Sequence, residues 1–209
     1  MLAAKHCKNL QHLNLAGSPG NLRMLSTVCR NLRVLKLDGC SPHDRNLHTV
    51  FQQTLNLETL TLSNNSYLTG QCLSALAHAP LKELVMDGCT NLQSHSLVNG
   101  LLVLKRLSRL SLNSCRNLTS SDVQKIMGAV PRLQSLSMEN HFPLFTSTTL
   151  KALDKLHDLI SLNLQLNVAV NDQILIVITR SCRKIEELNI SGYRKLFCIL
   201  FVRATSLCT

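Results

Sequence analysis

The chain has no tryptophan, and only five phenylalanines and two tyrosines among 209 residues. Aromatic packing therefore cannot build its core, and a platform that stacks nucleic-acid bases is not expected. Proline and glycine are scarce, at five and eight, and no low-complexity stretch or long charge run marks a linker between domains. The apolar runs, such as residues 197–202, fall far short of the ~20 residues that a membrane span needs. Ahead of the first leucine motif stand Lys5, His6 and Lys8 instead of the apolar core of a secretory signal. A soluble, cytoplasmic protein is expected, with the nucleus also open to it. The nine cysteines include no C-x-x-C pair, which argues against zinc or thioredoxin-like chemistry. There is no glycine-rich phosphate loop, no H-E-x-x-H and no G-x-S-x-G. His43-Asp44 and His157-Asp158 come nearest to a catalytic motif, but no further His or Asp stands in register with them. Both pairs read as solvated. No catalytic residue, cofactor or metal is assigned, and the chain is not read as an enzyme.

What the sequence has in quantity is leucine at fixed spacing. Leu32-x-x-Leu35-x-Leu37 combines a three-residue step with a strict alternation. The alternation fits a short strand with Leu35 and Leu37 on one face. The same pattern recurs with first apolar positions at 10, 32, 57, 81, 107, 133, 159 and 185, so the intervals run 22, 25, 24, 26, 26, 26 and 26. That period lies in the range of leucine-rich repeats, each a strand plus a helix or tight turn. One α/β solenoid of about eight repeats is expected over residues 1–192, with a non-consensus tail over 193–209 that reads either as an atypical cap folding back or, in preference, as a truncated end. The core must then be aliphatic, with leucine stacked on leucine from coil to coil.

Helical spacing follows each strand motif. Leu22, Leu25 and Val28 form one short amphipathic stretch, and Leu47, Val50 and Phe51 another after the loop at residues 41–44. Thr69 is expected to cap a helix carrying Leu73, Leu76 and Ala77, and Ser94 one carrying Leu97, Leu101 and Leu104. Thr119 and Asp122 resemble a capping box ahead of Val123, Ile126, Met127 and Val130. Helices are expected from Thr146 or Ser147, with Leu150, Leu153 and Leu156, and from Asn171, with Ile174 and Ile178. The β-branched run in the last favours strand locally, so packing must override propensity there. Strands sit about 4.8 Å apart while packed helices need about 8–10 Å, so the stack must curve with strands inside. A right-handed βα horseshoe results, its parallel sheet concave and its helices convex.

Six cysteines keep repeat register. Cys7, Cys29 and Cys182 lie three residues before the first apolar position, and Cys40, Cys89 and Cys115 eight after it. They read as small buried hydrophobes that fill the turns. Cys72, Cys198 and Cys208 fall outside the register and are assigned no role.

Cys29-Arg-Asn-Leu32-Arg-Val-Leu35-Lys-Leu37-Asp-Gly-Cys40, Cys115-Arg-Asn-Leu118-Thr119-Ser-Ser-Asp122-Val123, Cys89-Thr-Asn-Leu92 and Cys182-Arg-Lys-Ile185-Glu-Glu-Leu188-Asn-Ile190 carry a further likeness. Over roughly residues 5–192 the chain resembles the cysteine-containing leucine-rich repeats of F-box/LRR proteins. The resemblance implies the substrate-recruiting arm of an SCF-type ubiquitin ligase, in ubiquitin-dependent protein catabolism. No segment resembles the F-box itself, so the cullin adaptor is expected as a partner only if an F-box is supplied elsewhere. The alternatives are a free-standing scaffold or inhibitor with no ubiquitin role, and a binder of anionic ligands.

Residues that alternate with the buried leucines should line the concave face and bind a protein partner. The candidates are Lys36, Asp38, Thr61, Glu83, Asp87, Arg109, Asn113, Glu139, Asn163 and Glu187, of which Lys36, Asp38, Glu83, Asp87 and Arg109 form the central charged cluster. Two cations face five carboxylates there, so the face is mildly acidic although the whole chain carries +10. Lys8, Arg30, Lys105, Arg106, Arg132, Lys155, Arg183 and Lys184 stand just before the strands and form a candidate basic rim. Cations at helix C-termini complement the helix dipole, and that is the plain explanation for them. Nucleic acid could be held only through salt-sensitive phosphate contacts. A monomer is expected.

Overall fold

The computed structural model describes residue 7, residues 9–18, 22, 25, 29–140, 149, 152–167 and 172–192. Lys8, Val28, Thr146, Ser147, Leu150, Asn171 and the tail at 193–209, with Cys198 and Cys208, lie outside the described residues, as do the side chains of Cys29 and Ile174.

Eight three-residue strands form one parallel sheet in chain order: β1 (His12–Asn14), β2 (Val34–Lys36), β3 (Thr59–Thr61), β4 (Glu83–Val85), β5 (Arg109–Ser111), β6 (Ser135–Ser137), β7 (Ser161–Asn163) and β8 (Glu187–Asn189). Every strand pairs in the same register, so Leu13, Leu35, Leu60, Leu84, Leu110, Leu136, Leu162 and Leu188 stand side by side. From Leu35 to Leu162 this row is essentially inaccessible to solvent. Leu13 and Leu188, at the two ends of the described sheet, are half-buried. Burying one leucine is worth about 1.5–3 kcal/mol, so the row and its neighbours at Leu37, Leu62, Leu112 and Leu164 are the main source of cohesion. Phe51 is the one aromatic side chain among the described core residues, as the composition requires.

Behind the sheet lie α1 (Asp44–Phe51), α2 (Ser94–Val103), α3 (Ser120–Ala129) and α4 (Asp172–Ser181), with 3₁₀ helices at Cys29–Asn31, Gln71–Leu76 and Ala152–Lys155. The capping box forms: Thr119 Oγ1 accepts the Asp122 N–H and Asp122 Oδ2 accepts the Thr119 N–H. One cap expectation fails and another changes form. Ser94 lies inside α2 and Gln93 precedes it without a side-chain cap bond. Thr69 Oγ1 accepts the Gln71 N–H at 3.4 Å, but the helix it meets is a 3₁₀ helix entered through Gly70 at φ +95°. A Cβ on Gly70 would stand 3.1 Å from Leu97 Cα, and one on Gly100 2.5 Å from Leu73 Cβ. The third and fourth coils therefore approach through two glycines, and the tighter helix fits the space. α4 forms despite its β-branched run, with Leu175 and Ile178 buried. Packing decides there.

One position in every repeat is left-handed. Gly17, Gly39, Asn64, Gly88, Ser114, Asn140, Leu166 and Gly192 each lie seven residues after the first apolar position, with φ between +57° and +93°. This residue turns the chain out of the strand, a task suited to glycine and asparagine. Leu166 is the misfit, costing about 1–2 kcal/mol as a non-glycine residue in this region.

The next position ties coil to coil. Cys40, Cys89 and Cys115 donate their thiols to the carbonyls of Leu15, Leu62 and Met86 at 2.9, 3.2 and 3.1 Å. Asn65 and Asn167 occupy the same place, their Nδ2 reaching Leu37 O at 2.9 Å and Met138 O at 2.7 Å. In all five the acceptor is the carbonyl just after the previous strand. Burial holds the Cys89 and Cys115 thiols protonated and able to donate, with Cys89 pushed up to about 11 and Cys115 to about 12. Cys182 is also buried. Cys7 is exposed, contrary to the expectation of a buried turn residue, because no described coil precedes it to cover the side chain.

Asn65 also bonds Leu62 O and accepts the Ser41 N–H. Asn65→Ala would remove these three side-chain bonds, leaving Leu37 O to the Cys40 N–H, Leu62 O to the Cys89 thiol and the Ser41 N–H without its side-chain acceptor, and should cost roughly 2–4 kcal/mol. Cys115→Ala, which gives up a weak donor, should cost roughly 1–2 kcal/mol. Urea denaturation of the two variants checks the ranking.

Candidate protein-interaction face

The sheet brings the predicted concave residues together in three columns, two set by the strands and one by the residue two beyond each strand. Lys36 and Arg109 are exposed, and Glu83 is half-buried between Thr59 and Arg109. Thr59 Oγ1 donates to Glu83 Oε2 at 3.4 Å, and Arg109 Nη2 lies 3.5 Å from that oxygen. These are long contacts at partly solvated groups, worth little to stability. Glu187 is exposed at the last described strand.

Asp38, Asp87 and Asn113 behave differently. Asp38 accepts the Thr61 hydroxyl at 2.8 Å and the Ser63 N–H at 2.6 Å. Asp87 accepts the Ser111 hydroxyl at 2.6 Å and the Asn113 N–H at 2.9 Å. Asn113 Oδ1 accepts the Ser137 hydroxyl and the Glu139 N–H, both at 2.7 Å. Each of these side chains thus holds the following coil by one hydroxyl and one backbone amide. Asn163 Nδ2 donates to Ser137 Oγ at 3.1 Å and to Glu139 Oε2 at 3.4 Å, which continues the chain of contacts. Of the ten candidates, then, Asp38, Thr61, Asp87 and Asn113 are engaged in holding the face together. Lys36, Glu83, Arg109 and Glu187 are the charged groups most open to a partner.

The basic candidates occupy the rim before the strands, and Arg30, Lys105, Arg106, Arg132, Lys155, Arg183 and Lys184 are all exposed. Lys184 Nζ pairs with Asp158 at 2.6 Å. Sequence reasoning missed Glu58 on the same rim, which joins Arg33 and Lys82, the latter at 2.7 Å. Hydrogen bonds from those two cations hold the Glu58 carboxyl below its ordinary range. The three stand one residue after the first apolar position in successive repeats, which is the signal that could have found them.

Neither His-Asp pair forms a reaction centre. The His43 ring packs on Tyr67 with centroids 4.9 Å apart. Asp44 is not simply solvated: its carboxylate accepts the Thr69 N–H at 2.8 Å and the Cys72 N–H at 2.9 Å, and so caps the next coil's 3₁₀ helix. Burial alone would raise the Asp44 carboxyl, but those amides outweigh it and hold it below the usual range. His157 is exposed, and Asp158 carries the Lys184 pair. Among the described residues no group of three or more His, Cys, Asp or Glu is placed to hold a metal, and no helix is long and apolar enough to cross a membrane.

No protein-family model matches the chain, and no curated protein does at a significant level. Solved structures do. An internalin of Listeria monocytogenes is 15% identical with a TM-score of 0.59, over 98% of this chain and 61% of its own. The TLR13 chain of a TLR13–ssRNA13 complex is 19% identical with a TM-score of 0.63, over 92% of this chain and 31% of its own. The Rad7–Elc1 complex of yeast gives 13% identity, with 96% of this chain and 82% of that one covered, but a TM-score of only 0.47. This chain therefore spans less than two thirds of the internalin and TLR13 chains.

A carboxylate that titrates lower in the folded than in the unfolded chain stabilises the fold above its unfolded value of ~3.9, and that support is lost as pH falls through the folded value. Asp44 and Asp122 both meet this condition. Stability should hold from neutral pH to about 4 and then fall, more shallowly in Asp44→Asn than in the wild type. Thermal unfolding followed across an acid series checks the difference in slope. With this geometry and those neighbours, the chain folds as an α/β leucine-rich-repeat horseshoe.

Proposed function

We propose that the chain is a non-enzymatic protein-binding module that holds a protein partner across the concave sheet, in the manner of the substrate-recognition arm of an F-box/LRR ubiquitin ligase. The supporting observation is the division of labour on the sheet. Asp38, Asp87 and Asn113 fix the coils, while Lys36, Glu83, Arg109 and Glu187 project from that fixed frame. Charged groups on a preorganised surface give specificity and fast association at little entropic cost on binding. The flat array of small hydroxyls at Thr59, Ser135 and Ser161 between them leaves room for a partner to approach the backbone closely. The ubiquitin connection rests on the likeness of the cysteine-containing repeats to that family's recognition arm.

The experiment is a comparison of captured proteins. Lys36→Glu combined with Glu83→Lys and Glu187→Lys should lose the specific partner, with affinity down roughly tenfold or more. Its melting temperature should stay within about 2 °C of the wild type, since Glu83 makes only long, partly solvated cross-coil contacts and the other two are exposed. Asp87→Ala should instead lower the melting temperature. If the triple variant keeps its partner, the concave face is not the binding surface. Incubation of the purified chain with the cullin adaptor separates the ligase arm from a free-standing scaffold: adaptor bound only when an F-box is fused to the chain fits the arm.

A further inference from the structure

The rim before the strands divides into two halves that differ in charge compensation. In its first half Arg33 and Lys82 share Glu58, so two cations and one carboxylate lie bonded together. In its second half Lys105, Arg106, Arg132 and Arg183 are all exposed, and among the described residues none of them has a carboxylate within ion-pair distance. Lys184 on that half is paired with Asp158, and the charge of Arg132 also acts on that carboxylate from beyond ion-pair distance.

Helix dipoles do not account for these four. The dipole's attraction for cations fades within the last turn of a helix. No basic residue occupies the last turn of α2 or α3. Lys105 and Arg106 follow the end of α2 at Val103, Arg132 follows the end of α3 at Ala129, and Arg183 follows the end of α4 at Ser181. Arg180, by contrast, sits in the last turn of α4 and Lys155 in that of its 3₁₀ helix, where the dipole suffices. Four exposed cations thus stand along one edge of the array, before β5, β6 and β8. The row ends at an open depression lined by Asp154, His157, Arg180, Ser181, Arg183 and Lys184. Like charges held in a row repel one another, and an arrangement of that kind is relieved by an anionic partner.

We propose that the rim from Lys105 to Lys184 is a second docking strip, separate from the concave sheet, that takes an extended acidic polypeptide segment. The chemistry favours an acidic polypeptide over a nucleic acid for two reasons. Asp154 and Asp158 are interleaved with the cations, and a strand with a phosphate at every nucleotide would meet them, whereas a peptide can place an uncharged residue there. Among the described residues no Phe or Tyr side chain stands in this part of the rim to stack a base. Together with the carboxylates of the sheet, the strip makes the molecule two-signed, so a partner with a basic patch and an acidic segment would be oriented as it arrives.

The test uses the full chain, fluorescently labelled poly-glutamate and labelled poly-uridine RNA, titrated by anisotropy across a salt series. Poly-glutamate should bind saturably at low ionic strength and weaken steadily as salt rises. Lys105→Glu with Arg106→Glu, Arg132→Glu and Arg183→Glu should weaken it roughly tenfold or more, with an unchanged circular-dichroism spectrum. Arg33→Gln with Lys82→Gln, in the compensated half, should change it by less than about twofold. Absence of binding at low salt, or equal loss in the two variants, overturns the strip. RNA binding as tight as poly-glutamate overturns the choice of ligand.

Discussion

Three-residue strands offer few backbone bonds to a sheet of eight; the ladder runs a few residues past each strand, and the side chains that cross from each coil to the next add to its hold on the register. On one side of the turn, Cys40, Asn65, Cys89, Cys115 and Asn167 each capture the carbonyl at the end of the preceding strand. On the sheet face, Asp38, Asp87 and Asn113 each capture a hydroxyl and an amide of the following coil. Asp44 does the same on the helical side by capping its neighbour's 3₁₀ helix. Stability in such an array is nearest-neighbour by nature, so every coil depends on the polar contacts at its two flanks as much as on its own leucines.

The leucine rows, the sheet order and most helical positions were legible in the sequence, because burial at a fixed period leaves a mark on residue type. The left-handed residue before the cysteine was equally regular, at Gly17, Gly39, Asn64, Gly88, Asn140 and Gly192, yet only the cysteines drew notice. Asn65 and Asn167 escaped because they share no chemistry with cysteine beyond a donor of the right reach. The 3₁₀ helix after Gly70 could not be read locally, since its cause is the close approach of Leu97 and the glycine at position 100. Asp38 and Asp87 looked like open charges for the same reason. Their partners are 23–26 residues away.

Separating fixed from free groups sharpens the functional picture. The carboxylates that seemed the centre of the acidic face are largely committed to Thr61, Ser63, Ser111 and Asn113. What remains for recognition on the sheet is a sparser set, with Lys36 and Arg109 beside Glu83 and Glu187. A row of cations lies on an edge away from that set, where Lys105, Arg106, Arg132 and Arg183 are exposed with no carboxylate within ion-pair distance among the described residues. In the proposed binding role, a mixed floor and a basic rim would select partners by charge pattern more than by apolar area.

Native-state hydrogen exchange on the backbone amides of Ser63, Asn113 and Glu139 tests the central claim most directly. Those three N–H groups point at the side chains of Asp38, Asp87 and Asn113 instead of at a backbone carbonyl. If the cross-coil bonds hold the face, the three amides exchange as slowly as the strand amides of Leu62 and Leu112, which donate to Val85 O and Ser137 O. Exchange at the rate of an unstructured peptide would mean that the sheet keeps its register without them.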